Sequence, residues 1–218
     1  MLTAYKNLVW SIVNLANSPR GRTYQQQRDQ LLLKGPQRQQ FIAAARQMTT
    51  NRLALGSLAE LSIRLSPNTL AITAHHSHLA NLTDADIITC PIDTDVPGKA
   101  AAPHLSWHRQ IYRKTTAQAI LLGHPQHALA LANAGRLPEP QLMPAMWAAI
   151  GHVDLWLAPE ANPAELPPVH RLHGLLAPHV GVLVWGNSLE DVINRVEALE
   201  YVSQLNIIAR QGNLAGKF

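Results

Sequence analysis

The 218-residue chain holds a single cysteine, Cys90, so no intrachain disulfide can form and no thiolate pair is available for a zinc site. That usage points to a reducing compartment, read here as the cytoplasm. Charge is sparse at 15% of residues, against 47% hydrophobic, which suits one α/β domain with a sizeable core. The formal net charge of +4 is not gathered into a patch: apart from Arg109, Arg113 and Lys114 the basic residues are scattered. A nucleic-acid partner is therefore not expected. Aromatics are few, at 5%, and Trp107, Trp147, Trp156 and Trp185 follow no base-stacking spacing, so they read as core or interface packing. Long hydrophobic runs are also missing. The stretch from Leu8 to Leu15 is too short and too polar to span a bilayer, and no small-residue cleavage site follows it. No membrane partner is expected.

What the chain does contain is an alternation of helical and extended patterns. From about Pro36 to Leu53, helix formers such as Phe41, Ala44, Ala45 and Met48 place apolar groups on one face. Leu61 to Leu65 alternates at period two, Ser66-Pro67-Asn68 supplies turn chemistry and Thr69 to Thr73 resumes the extended pattern, which predicts a hairpin. Thr83 with Asp84 and Asp86 predicts a capped short turn before a strand from Ile87 to Ile92. A helix is expected from His104 to Arg113, then a strand from Ala119 to Leu122 closed by Gly123, and a helix that Pro125 opens. Pro138, Pro140, Pro144, Pro159, Pro163, Pro167 and Pro168 predict an irregular middle region, and Leu172 to Leu176 reads as a short helix. A strand from Val180 to Trp185 and a long helix from Ser188, its N-cap, to about Arg210 complete the pattern.

The run Gly181-Val182-Leu183-Val184-Trp185-Gly186-Asn187-Ser188 and the corner Gly123-His124-Pro125 resemble the class II aldolase/adducin family, zinc-dependent sugar-phosphate aldolases and epimerases with non-catalytic relatives. The resemblance covers residues 38 to 210 in the same order of elements. It implies a three-layer α/β fold with a mixed, mostly antiparallel sheet between helices, spanning residues 37–218 behind an N-terminal extension at 1–36. It also implies a homo-oligomer, a tetramer in the family, with sites at subunit interfaces.

The family's enzymes hold zinc through three His and a Glu, and zinc polarises a hydroxy-carbonyl substrate. The resemblance places His104 where that Glu stands and His108 at the helical His four residues on. The paired His corner becomes Leu122-Gly123-His124, which keeps the second ligand and replaces the first with an aliphatic side chain. Val180 stands at the third ligand. His179 lies one residue earlier and would reach the same face only through a bulge, because neighbours along a strand point to opposite faces. A rebuilt site of His104, His124 and His179 is one expectation; no metal at all is the other.

The substrate positions change too. Ala59-Glu60 replaces a Gly-Asn pair, and Thr73-Ala74-His75-His76 replaces a phosphate loop, so that only Thr73 matches. Thr73 and His76 are the candidate substrate contacts. Ala102-Pro103 replaces a Ser pair, and Pro103 has no N–H to donate. Glu60 is the candidate catalytic acid or base, although its place at a strand start favours a solvated role. His75, His76 and His78 form a His-rich turn, favoured as surface loop.

Two function classes stay open. Loss of polar groups at several separate positions favours a small-molecule-binding, regulatory or assembly protein that has given up zinc-dependent aldolase chemistry. Exchange of Glu for His at 104 favours a divergent metal-dependent lyase acting on a hydroxy-carbonyl or sugar-phosphate compound. The residues lean to the first and leave catalysis undecided.

Overall fold

A computed structural model describes residues 33, 35–94, 100–157 and 165–212. Nearly all of the expected N-terminal extension, residues 1–32 and 34, lies outside them, as do Pro159 and Pro163. Five helices are described: α1 (Gly35–Thr50), α2 (Leu105–Lys114), α3 (Gln126–Asn133), α4 (Pro144–Ile150) and α5 (Leu189–Gln211). Seven strands form one sheet: β1 (Glu60–Ser66), β2 (Thr69–Thr73), β3 (Ile87–Pro91), β4 (Ala119–Gly123), β5 (Val153–Leu155), β6 (Gly174–Ala177) and β7 (Gly181–Gly186). Their order is β3-β2-β1-β4-β7-β6-β5. Every pairing is antiparallel except β5 with β6. No helix among the described residues is long and apolar enough to cross a membrane.

Period-two alternation in the central strands creates the layers. On β4, Ala119 and Leu121 enter one apolar cluster with Phe41, Met48, Val196 and Leu199, while Ile120 and Leu122 enter a second with Trp107, Ile111 and Trp156. On β7, Val182 and Val184 join the first, and Leu183 and Trp185 join the second. The sheet is thus covered on both faces, by α1, α3, α4 and α5 on one side and by α2 on the other. Complete burial of a leucine or isoleucine from these strands contributes roughly 1.5–3 kcal/mol, so this pattern of faces carries much of the fold.

The hairpin, the strand-to-helix corner and the final helix match the sequence expectations. Ser66 stands opposite Thr69 across the Pro67-Asn68 turn. The Ser188 hydroxyl accepts the Asp191 N–H at 3.0 Å and caps α5. The expected short helix at Leu172 to Leu176 is overturned: Gly174–Ala177 is strand β6, paired on both sides. Leu175 and Leu176 point into opposite apolar clusters. A strand buried on both faces reads as a continuous apolar run, and its period is hidden. Pro144, expected only to interrupt, instead starts α4 in the first turn, where its missing N–H costs nothing.

Two close approaches fix the end of β4. The His124 N–H donates to the Leu53 carbonyl at 2.7 Å. A Cβ on Gly123 would stand 2.6 Å from that same oxygen. Gly123→Ala should therefore push the loop after α1 off the corner and cost about 1–3 kcal/mol, the usual penalty of overpacking. Urea midpoints of the two proteins check this, and equal midpoints would show that the corner gives freely.

Candidate functional site

Faces on β1 decide what meets α2. Leu61 and Ile63 point into the cluster beneath α1 and α5, so Glu60, Ser62 and Arg64 face α2. On α2, His104, His108 and Tyr112 recur every four residues and form one stripe. The two sets interlock. Glu60 Oε1 meets His104 Nδ1 at 2.6 Å and also accepts the His104 backbone N–H at 3.2 Å. Glu60 Oε2 lies 3.5 Å from His108 Nε2. Ser62 Oγ bonds His108 Nδ1 at 2.7 Å and the Tyr112 hydroxyl at 2.9 Å. Arg64 donates to the Tyr112 and Thr115 carbonyls and lies over the Tyr112 ring.

This polar seam runs through an otherwise apolar layer. Glu60 is only 3% exposed and His108 0%, while the His104 side chain keeps 31%. The solvated reading of Glu60 is overturned by that burial. A buried carboxylate persists only with partners, and the strand start delivers Glu60 to the first turn of α2. Burial works to raise its carboxyl, but the hydrogen bond from His104, the close approach of His108 and the charge of both outweigh it and hold it at about 2. Burial also pushes the Tyr112 phenol up.

Across the sheet, Leu122 sits directly opposite Glu60 and is 1% exposed, packed in the apolar cluster beneath α2. Val180 packs against the same cluster. His124 follows at the end of β4, 8% exposed. Burial lowers its imidazole, against a hydrogen bond to the Val180 backbone and the Glu60 charge, which raise it; the His104 charge adds to the lowering. Nε2 is the nitrogen on the Gly181 side. Nδ1 is buried and makes no hydrogen bond.

His179 lies elsewhere. The β6–β7 ladder keeps unbroken register to Ala177 opposite Gly181. His179 occupies the intervening turn, exposed at φ 62°, its N–H donating to Asn133 Oδ1 at 2.7 Å. Thr73 is fully buried, and its hydroxyl accepts the Leu61 N–H at 3.2 Å. His76 is exposed at φ 63°, its ring 3.7 Å from that of His75. Among the described residues, no three His, Cys, Asp or Glu side chains are grouped to hold a metal ion. The chemistry of the donors agrees, since Leu122 and Val180 offer no lone pair and Glu60 already accepts from His104. A cavity of about 750 Å³ beside Arg64, Gln118 and Asn187 lies at the opposite end of these strands.

Residues 39–207 match the family profile described as Class II Aldolase and Adducin N-terminal domain. The chain belongs to the class II aldolase/adducin family. Among curated relatives it is 24% identical over 194 residues to methylthioribulose-1-phosphate dehydratase of Microcystis aeruginosa, covering 78% of this chain and 95% of that protein. The corresponding protein of Granulibacter bethesdensis is 26% identical over 189 residues, with 74% and 86% covered. In fold, the chain is similar to L-fuculose-1-phosphate aldolase from Thermus thermophilus, with a TM-score of 0.66, 22% identity and coverage of 78% and 94%. Escherichia coli YgbL gives a TM-score of 0.69 at 23% identity, with 79% and 88% covered. The three-layer aldolase/adducin fold is thereby shown.

Sequence reasoning singled out Glu60, His104 and His124 but gave Ser62, His108 and Tyr112 no joint role. The signal was present. Glu-x-Ser-x-Arg on a strand and His-x-x-x-His-x-x-x-Tyr on a helix are two polar stripes of matching length.

Glu60 titrates at 4.5 in its ordinary state and about 2 in the fold. Its contribution to stability is therefore complete above pH 4.5 and is lost as pH falls through about 2. The difference corresponds to about 3 kcal/mol. Glu60→Gln should lower the urea midpoint at neutral pH and flatten the acid side of the profile. Parallel acid profiles for the two proteins would refute this account of the carboxylate.

Proposed function

We propose that this family member works without the zinc-dependent sugar-phosphate chemistry of its relatives. It binds a small polar molecule beside Glu60, His104 and His124, in a binding, regulatory or assembly role. The observation that carries this reading is the apolar character of two ligand positions: Leu122 is buried in the cluster beneath α2, and Val180, partly buried, packs against it. An aliphatic side chain in a close-packed layer neither coordinates a cation nor leaves room for one. The acid has also changed sides. A carboxylate on the strand now faces an imidazole on the helix, and each occupies the other.

One observation favours a second reading, a divergent metal-dependent lyase. The buried Nδ1 of His124 has no hydrogen-bond partner, and an orphaned imidazole lone pair is a potential metal ligand. The dehydratase relatives are lyases by name.

Elemental analysis of tag-free protein, repeated on His124→Ala, separates the two. The expected result is metal far below one equivalent in both proteins and no rise in Tm on adding zinc, since a ligand bound only by the folded state would raise it. Near-stoichiometric zinc that disappears in the variant would overturn the proposal.

A further inference from the structure

The end of the sheet remote from Glu60 carries a second cleft of different chemistry. A cavity of about 410 Å³ lies where the Gly186 end of β7 meets the last turn of α2 and the approach to β6. Trp185 in its wall belongs to the cluster beneath α2, so the cavity opens on that face of the sheet. Gly186 stands opposite Ala119, whereas the corner that carries His124 follows Gly123, opposite Val182. Those four strand steps separate the two ends by roughly 13 Å.

The walls of the cleft are cationic. Arg113, Lys114, His170, His173 and Arg195 line it, and among the described residues no Asp or Glu does. Basic residues scattered along the sequence are thus gathered by the fold. Lys and Arg in the last turn of a helix ordinarily answer its dipole. On α2 that role is already filled, because Arg64 donates to the Tyr112 and Thr115 carbonyls. Lys114 is exposed, and its ammonium has no partner among the described residues. Glu165 borders the adjoining groove, which Lys114 and His170 also line, and forms no ion pair with either.

The donors that remain select the anion. Arg195 engages Asp191 with its whole fork, Nε to Oδ1 at 2.9 Å and Nη2 to Oδ2 at 3.3 Å, and gives Nη1 to the Ile150 carbonyl at 2.8 Å. Arg113 places its Nε on the Ile92 carbonyl at 2.9 Å. The planar fork of Arg195 and the Nε edge of Arg113, which would match a carboxylate, are therefore occupied. His173 Nδ1 accepts the His152 N–H at 3.2 Å, so the hydrogen of the neutral ring is on Nε2. Burial lowers the His173 imidazole most, and the charges of Arg195 and His152 lower it further, against Asp191, which raises it. Besides this ring, the cleft offers the Lys114 ammonium, the Thr116 hydroxyl and the Asn187 amide. Separate point donors of this kind suit a tetrahedral group with several charged oxygens, and about 410 Å³ gives room for more than one such group.

We propose that this cleft, lined by Lys114, His173, Thr116 and Asn187, binds a diphosphate group at a site separate from the Glu60, His104 and His124 region. Lys114 and His173 meet the phosphoryl oxygens, and the hydroxyl and amide complete the set of donors. The group is recognised by its two adjacent phosphoryl charges, whether free or carried on a nucleoside. The proposal stands whether or not the Glu60 end of the sheet holds a metal.

The test is isothermal titration calorimetry of the full chain with pyrophosphate, ADP and citrate, in EDTA at fixed ionic strength. Saturable one-site binding of pyrophosphate or ADP is expected, and the tighter of the two tells a free from a nucleoside-borne diphosphate. Lys114→Glu should weaken that binding about 10-fold or more, as expected for loss of a charge-assisted hydrogen bond. Arg46→Glu makes the same charge change at an exposed position on α1, across the sheet, and should leave binding unchanged. Both positions are exposed, and circular dichroism confirms that the variants are folded. The His173 ring proton, identified by its absence in His173→Gln, gives a second readout by NMR. Its titration midpoint should move up by about one pH unit with ligand bound, because a neighbouring anion favours the charged ring.

Absence of saturable binding with both pyrophosphate and ADP would overturn the proposal. Equal weakening by Lys114→Glu and Arg46→Glu would overturn it too, since binding would then follow overall charge and not this cleft. Citrate binding as tightly as pyrophosphate would overturn the choice of a phosphoryl ligand. A His173 midpoint that stays in place at saturation would put the ligand elsewhere on the molecule and overturn the site.

Discussion

One carboxylate organises the region between β1 and α2. Glu60 stands at the first residue of its strand, faces α2 because Leu61 and Ile63 take the other face, and is nearly inaccessible to water. An ion in that position would be strongly destabilising alone, so everything around it is arranged to keep it partnered. The first turn of α2 supplies a backbone N–H and an imidazole, the second turn supplies another imidazole, and Ser62 holds that one in place. Helix and strand are therefore registered against each other by a polar seam inside an apolar layer. A slip of one residue along β1 would turn Glu60 and Ser62 toward the cluster beneath α1 and leave three buried groups unsatisfied.

The same carboxylate separates this chain from the pattern it resembles. The resemblance puts an acid on the helix and an amide on the strand, whereas here the acid is on the strand and a histidine on the helix. In place of an acid and an amide, a carboxylate and an imidazole meet here at 2.6 Å. What does not survive is the set of donors around it, since Leu122 lies directly across from Glu60 and belongs to the core. The fold is shared with proteins of 22–23% identity, and chemistry does not travel with fold at that distance.

Much of the architecture was legible because local signals agreed with the global fold. Pro67-Asn68 between two alternating runs, Ser188 ahead of Glu190 and Asp191, and Gly123 before Pro125 each specify a backbone geometry by themselves. The misreadings fall where local and global signals part. Leu172, Leu175 and Leu176 recur at helical spacing, but β6 is covered on both faces and its leucines divide between two clusters. Pro144 reads as a breaker and serves as a starter of α4. At the site, the residue types were visible but their burial was not. Whether a glutamate at a strand start meets water or a helix depends on the crossing of α2 over β1, which no short window of sequence contains.

The strand order has a bearing on how copies of this chain could meet. The two edge strands of the sheet are β3 and β5, and an exposed edge ordinarily invites pairing with another chain. Both are poor templates. β5 is three residues long, and β3 ends in Pro91, which has no N–H to offer. The long, fully apolar strands β4 and β7 are paired on both sides in the interior of the sheet. Self-association by extending the sheet from chain to chain is thus discouraged by construction.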